Sequence, residues 1–358
     1  MSDALEAHAS HFRKQAEWCD RLGSPFNAAL LSGLADGLGD GGALDGLLMD
    51  GPEPLAPNAA DAGPLRVAGA LHALVLTGAD ADLAAHYPSA HPNWQAASTL
   101  VAAQAALTRH TGWVADFLTR PPQTNETRRS IGLLPGFAAL AHHGPLHMLE
   151  VGASAGLNLN WDAFTYRTAQ WSRAGTPGGP VIDTDWQGPA PNFPAAFEVA
   201  SRRGCDQDPM DITDPETRLR LRAYIWPDQA DRLARIDAAL ALADKRPIAV
   251  DKAGAADWLE TQLVGPLPEG TTIVYHSIAW QYFDPETHNR AMAAIRSAGE
   301  RADPNHRLAW LRFEHERLFD PDGSSTRHVI DLVEWPGRMH TPLAHADPHC
   351  RAVSLNSG

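Results

Sequence analysis

The sequence predicts an α/β protein in two parts: a helical N-terminal domain over residues 1–130 and a mainly parallel sheet domain over 131–358. Three observations carry this. Apolar residues upstream recur at helical spacing, short apolar runs downstream alternate with amphipathic segments, and "LEVGASAG" marks the change of character. Strand–helix alternation is the pattern of helices packed on a parallel sheet.

Taken in order, "HFRKQAEWCDRLGSPFNAALLSGLADGL" spaces Phe12, Trp18, Leu22, Leu30, Leu31 and Leu34 at roughly helical intervals, which gathers apolar side chains on one face. "LGDGGALDGLLMDGPEPLAPNAADAGP" is rich in Gly, Pro and Asp and reads as loop broken by a short helix. "PLRVAGALHALVLTG" and "PNWQAASTLVAAQAALTRHTGWVADFL" resume the helical pattern, opened by Pro or Asn and punctuated by Gly. No strand is expected before residue 145. Beyond it, "PLHMLEVG", "GPVIDT", "RPIAV", "TTIVYHSIAW", "HRLAWLRFE" and "RHVIDLVEW" are the expected strands. "AGLNLNWDAF", "AADWLETQLV" and "PETHNRAMAAIRSAGE" are the expected helices. Residues of about 187–240 are expected to be an insertion between the second and third strands, forming a lid or a wall of the ligand cleft.

Composition narrows the function classes. A chain of 358 residues can bury an ample core, as one large domain or two ordinary ones. Its 44% hydrophobic and 20% charged residues exclude a disordered chain. A formal charge of −14 argues against broad nucleic-acid binding, which releases counterions through clustered Lys and Arg. "MSDALEAHAS" has neither the charged region nor the apolar run of a secretory signal. The longest apolar stretch, near Val67–Ala79, is interrupted by His72 and is too short to span a bilayer. Cys19, Cys205 and Cys350 are odd in number and far apart, as suits reduced thiols. The expected setting is the cytoplasm and the expected partner a small-molecule substrate, with neither nucleic acid nor membrane.

The stretch "MLEVGASAGLNL", residues 148–159, supports two chemistries. Gly152, Ser154 and Gly156 form GxSxG, the nucleophile elbow of α/β-hydrolases. With Glu150 they also form the acidic, glycine-spaced turn after the first strand of a nucleotide-cofactor fold. Organisation favours the second. An elbow needs several strands ahead of it to supply the oxyanion loop, and here the strand is the first. Ser154 also places a Cβ where a dinucleotide pyrophosphate needs bare backbone, a demand that S-adenosylmethionine does not make. The turn therefore resembles the first motif of a Rossmann-like methyltransferase, whose usual pattern has Gly where Ser154 stands. A serine hydrolase built on Ser154, Asp251 and His276 is the alternative enzyme. A ligand-binding or scaffold protein that keeps the fold without catalysis is the non-enzyme alternative.

On such a sheet the ligand lies beyond the carboxyl ends of the strands, at the switch point beside strand one. Glu150, Gly152, Ser154 and Gly156 would hold the cofactor, with Asp183 or Asp185 of "VIDTDW" on the ribose. Asp251 and Asp257 would face adenine, although Asp257 also suits the N-terminal turn of a helix. "QTNETRRSIGLL" contributes Gln123, Asn125, Glu126 and Arg129. Asn125 can cap a helix, and Arg129 can meet a ligand carboxylate. His276 follows the apolar run Ile273–Tyr275 and is the expected base acting on the acceptor. Ser277, Trp280 and Tyr282 would border the acceptor or the sulfonium, cations favouring aromatic faces. Arg220, Trp226 and Asp228 would bind a polar acceptor from the insertion. His340, His345, His349 and Cys350 are ligand types at loose spacing, so no metal is assigned. His142, His143 and His147 read as loop and edge residues around the first strand.

The chain resembles an uncharacterised bacterial family, a domain of unknown function, whose members carry "QTNE…RS" followed by "LEVGASAGLNL". The segments "RLRAYIWPDQADR", "VYHSIAWQYF", "LAWLRFE" and "EWPG" carry the same resemblance. It runs from "FRKQAEWC" and "GSPFNAALL" to the C-terminal region and implies a methyltransferase-like fold.

Overall fold

Helix starts are written in the N-caps: Ser2 Oγ accepts from the N–H of Leu5, Ser24 Oγ from Asn27 and Asp80 Oδ1 from Leu83. In the computed structural model, which describes residues 2–318 and 327–356, the first seven helices are α1 (Asp3–Arg21), α2 (Pro25–Asp36), α3 (Ala43–Met49), α4 (Gly63–Leu76), α5 (Ala81–Ala84), α6 (Ala96–Arg109) and α7 (Thr111–Leu118). Next come α8 (Arg129–Leu140), β1 (Leu146–Val151), β2 (Thr165–Arg167), β3 (Ser172–Arg173), β4 (Val181–Asp183), β5 (Asp185–Gln187) and β6 (Val199–Asp206). The chain continues through α9 (Pro215–Ala223), α10 (Ala230–Lys245), β7 (Val250–Lys252), α11 (Ala255–Gln262), β8 (Gly270–Ser277) and α12 (Pro285–Glu300). The last strands are β9 (His306–His315), β10 (His328–Trp335), β11 (Met339–Ala346) and β12 (Ala352–Leu355).

Two compact units result: residues up to Thr124 with Ile212–Ile236, and Asn125–Asp211 with the chain from Asp237 onward. The expected boundary at 130 thus falls earlier, and the middle of the expected insertion belongs to the helical unit. Within that unit Phe12, Phe26, Leu31, Leu71, Tyr87 and Leu107 form one buried core, joined by Ala223 and Tyr224. His72 is buried in it, a ring nitrogen 3.1 Å from the carbonyl of Ala223, and burial lowers its pKa to about 4. It is neutral at pH 7.

In the second unit a nine-stranded sheet runs β5-β12-β11-β10-β9-β8-β1-β6-β7. The five strands from β9 to β7 are mutually parallel, whereas β9, β10, β11 and β12 pair antiparallel. Strand β8 is buried along nearly its whole length, as a central parallel strand covered on both faces must be. Alternation divides its residues between two cores. Met148, Ile273 and Leu311 join Phe137 of α8, while Leu149, Val274 and Trp310 join Leu259 of α11 and Ile295 of α12. Among the described residues no helix is long and apolar enough to cross a membrane.

Three elements differ from expectation. "GPVIDT" does form a strand, β4, but in a separate sheet ordered β3-β2-β4. The partner of β1 in the parallel sheet is instead β6, inside the expected insertion. Its sequence, "VASRRGCD", hides the strand because its outer half is exposed and its arginines are paired, Arg202 with Asp162 and Arg203 with Asp251. The segment Leu157–Ala163 turns as 3₁₀ helix rather than α-helix. Its asparagines are spent on backbone elsewhere, Asn158 on the carbonyl of Glu126 and Asn160 on that of Arg246, which competes with regular helix.

Candidate functional site

Strand β1 delivers the chain into a left-handed turn, with φ of +70° at Gly152, +54° at Ser154 and +71° at Gly156. A Cβ at Gly152 would stand 2.5 Å from the Cβ of Ala279, and one at Gly156 would stand 2.6 Å from Val250. Both glycines are therefore demanded by backbone and by packing. The space beside Gly152 is filled by the loop after β8. The turn's donors are also committed. Ala153 N–H donates to the Cys205 carbonyl, Ser154 N–H to Asp206 Oδ2 at 2.8 Å, Gly156 N–H to the Ala153 carbonyl and Leu157 N–H to Asn125 Oδ1 at 2.8 Å. Asp206, at the carboxyl end of β6, accepts from Asp208 N–H with its other oxygen. Ser154 Oγ and Asn158 Oδ1 are buried without a hydrogen-bond partner.

A second layer of polar groups comes from the segment ahead of α8. Glu126 is buried; its Oε1 accepts from Arg128 N–H at 3.1 Å, and its carbonyl accepts from Asn158. Arg129 donates through Nε to the Pro348 carbonyl and through Nη1 to the Ser277 carbonyl, both at 3.0 Å. Burial lowers the pKa of its guanidinium, opposed by the nearby charge of Glu126. Arg129 thereby ties together two loops that each contain a strained residue, Ile278 at φ +53° and Cys350 at φ +50°. A β-branched residue in that region is a true outlier, and such strain concentrates where surrounding structure fixes a site. Nδ1 of His349 stands 3.6 Å from Glu126 Oε2.

Behind the turn, Glu150 and His276 are core residues. Glu150 Oε2 accepts from the Tyr275 hydroxyl at 3.2 Å. Burial raises its pKa to about 8, with the charge of Asp206 adding and the Tyr275 bond opposing. It is protonated near neutrality. His276 is wholly buried, Nδ1 2.7 Å from Glu314 Oε1, with Trp310 Nε1–H donating to Nε2 at 3.0 Å. An indole only donates, so Nε2 is the bare nitrogen and the proton sits on Nδ1. The ring also stacks on Trp280, centroids 4.6 Å apart. Glu314 Oε1 accepts from the N–H groups of Ala279 and Trp280 as well. Burial would raise Glu314, but the His276 bond and these amides more than offset it, and its pKa is lowered.

This geometry corrects the expectation for His276: both nitrogens are occupied and none is left to take a proton from an acceptor. Its bonds hold the loop that packs Ala279 onto Gly152. Ser154, Asp251 and His276 share no hydrogen bond, so the hydrolase triad is not assembled. Asp251 is committed to Arg203, which chiefly lowers its pKa, and to Trp258 Nε1–H at 2.7 Å. Asp183 pairs with Arg167 in the small sheet, and Asp185 lies on β5 beside β12. Neither is at the end of the second parallel strand, where Asp206 stands. Asp257, in the first turn of α11, pairs with Arg290. Ser277 offers Arg129 its carbonyl, Trp280 is core, and Tyr282 is 76% exposed.

Arg220, Trp226 and Asp228 are structural parts of the helical unit. Arg220 bonds Glu216 and the Phe117 carbonyl, Trp226 packs on the helical core, and Asp228 accepts from Ser24 Oγ and Phe26 N–H at the start of α2. A depression of about 380 Å³ in this unit, between Gly37–Asp45 and the end of α6, contains none of the expected site residues. Among the described residues no three His, Cys, Asp or Glu are grouped to hold a metal ion. His340 bonds Asp331, and Cys350 is buried.

Asn158 and Glu314 were not singled out from sequence, and Asp206 read there only as one of a group with Asp208 and Asp211, beside Arg218, Arg220 and Arg222, suited to ion pairs on a solvated face. Asp206 was hidden with β6, although "GCD" after an alternating run is a strand-end signal.

These features define a mixed α/β protein with a large, mostly parallel sheet and an N-terminal helical region. The chain belongs to the bacterial family described as "Uncharacterized protein conserved in bacteria (DUF2332)", whose model matches residues 9–354. No curated protein and no solved structure matches it.

Proposed function

We propose that the chain is a Rossmann-like S-adenosylmethionine-dependent methyltransferase acting on a small molecule, with the cofactor at the carboxyl edge beside β1. The reading rests on strand order. Counted along the chain, the five parallel strands lie 3-2-1-4-5 across the sheet, the order whose switch point opens a ligand crevice beside strand one. The observation that carries it is Asp206. It ends strand two, next to the glycine turn, and holds that turn by the Ser154 N–H, the position from which a carboxylate accepts from ribose hydroxyls.

The residues present fit the group. Ser154 Oγ and Asn158 Oδ1 are buried polar atoms awaiting partners, and leaving such atoms unpaired is costly. Glu150, protonated near neutrality, has a proton to donate. The amides of Ala153, Ser154, Gly156 and Leu157 are spent on protein acceptors and the turn leads into 3₁₀ helix, so it lacks the α-helix N-terminus that cradles phosphate. That favours an adenosyl ligand without phosphates over a dinucleotide. S-adenosylmethionine would supply an electrophilic methyl group; Asp206, Ser154, Asn158 and Glu150 would hold and orient the cofactor, and Arg129 would fix the loops that close the site.

Calorimetry with S-adenosylmethionine, S-adenosylhomocysteine and NAD tests this. Adenosyl ligands should bind at least about tenfold more tightly than NAD, a difference of roughly 1.4 kcal/mol. Asp206→Asn should weaken them by about 1–2 kcal/mol. Silence toward both adenosyl ligands would leave the fold as a binding or scaffold module.

A further inference from the structure

We propose that His349, oriented by Glu126, is the proton acceptor of this site, taking a proton from an N–H or O–H group of a small polar substrate. The inference rests on the methyl-transfer reading for its reaction, but the pair itself rests on geometry. Glu126 is fixed from two sides, its Oε1 by Arg128 N–H and its backbone by Asn158. It presents Oε2 to His349 Nδ1 at 3.6 Å, with side-chain exposures of 5% and 27%. A catalytic hydrogen bond is often long before substrate arrives.

The backbone under His349 is set with equal care. Its N–H donates to Asp347 Oδ1, the carbonyl of Pro348 receives Arg129 Nε, and Cys350 is buried in the left-handed region. Nδ1 is buried toward Glu126 and makes no hydrogen bond, while among the described residues none bonds Nε2, and the ring is partly open. Groups on the elements packed here are Glu126, Arg129 on α8, His328 on β10, and Asp347, Cys350 and Arg351 on the same loop. The step balances simply. The substrate's X–H bond breaks, its electron pair stays on X, the proton goes to Nε2, and the Nδ1–H of the resulting imidazolium draws toward the Glu126 carboxylate. Solvent then removes the proton through the open edge. Histidine suits such a shuttle because its charge changes near neutrality.

Two readouts on the full chain test the pair without any cofactor. In imidazole NMR spectra, assigned with His349→Gln, Glu126→Gln should move the His349 ring resonances, because the carboxylate stands against Nδ1. Diethyl pyrocarbonate should acylate His349, and His276 should stay unmodified in the folded protein. His349 resonances indifferent to Glu126→Gln, or a His349 that resists acylation while exposed histidines react, overturn the proposal. The third readout is S-adenosylhomocysteine formation from S-adenosylmethionine and a small-molecule extract of bacterial cells. His349→Gln should cut turnover about 100-fold or more and change S-adenosylhomocysteine affinity less than about threefold; turnover above half of wild type overturns the base role. If S-adenosylhomocysteine fails to bind wild type, the methyl-transfer reading falls instead, and the first two readouts judge the pair by themselves.

Discussion

Two histidine–glutamate pairs in the same unit differ in everything except composition. His276 and Glu314 are wholly buried, 2.7 Å apart, and every ring nitrogen is taken. His349 and Glu126 are 3.6 Å apart, and the imidazole is partly open, with an Nε2 that none of the described residues bonds. The comparison teaches that proximity to a strand end does not make a histidine a base. A base also needs a ring nitrogen free to take the proton. The buried pair works as architecture: Glu314 gathers His276 and the amides of Ala279 and Trp280, and the loop so held packs Ala279 against Gly152.

If that division of labour is right, the largest stability loss follows from breaking the buried pair. Glu314→Ala removes the acceptor of three buried donors and should cost about 3–5 kcal/mol in chemical denaturation. A loss under about 1 kcal/mol would deny the pair its structural role. Next comes pH. The unfolded chain releases the Glu150 proton near the ordinary glutamate value of 4.5, while the folded protein holds it to about 8. The native state binds more protons across that window, so this group's contribution is full below about 4.5 and is lost as pH rises through about 8. Unfolding at stepped pH should show that decline, on the order of a few kcal/mol, and Glu150→Gln should flatten it.

Gly152→Ala should cost about 2–3 kcal/mol, from a left-handed backbone and a Cβ driven into Ala279. Gly152 is thus a packing residue, and a larger side chain there would report unfolding as well as any change in binding. The smallest effect belongs to the open pair. His349→Ala should change stability by under about 1 kcal/mol, and a thermal shift as large as that of Glu314→Ala would erase the contrast between the two pairs.

The strands legible in the sequence were those whose burial is continuous. Strands β1, β8, β9 and β10 read as apolar runs because they are covered on both faces. Strand β6 was missed because Arg202 and Arg203 find ion-pair partners on residues 40 and 48 positions away, which no local window contains. The glycine turn was legible; Asn125, read as a helix cap, does not cap α8 and instead accepts from Leu157 N–H in the turn. The role of His276 was not. Its partner Glu314 lies 38 residues on, across the β8–β9 pairing, and only that pairing decides whether a histidine after an apolar run faces substrate or core. His349 was visible as one of a loose C-terminal group; its link to Glu126 depends on the fold of the whole unit.

A crystal structure with S-adenosylhomocysteine tests the proposed adenosyl site at the turn after β1 most directly. The predicted result is a ligand with ribose hydroxyls on Asp206, polar contacts from Ser154 or Asn158, and no contact to the ring of His276. A ligand bound elsewhere, or one placed against His276 after displacing Trp280, would contradict it.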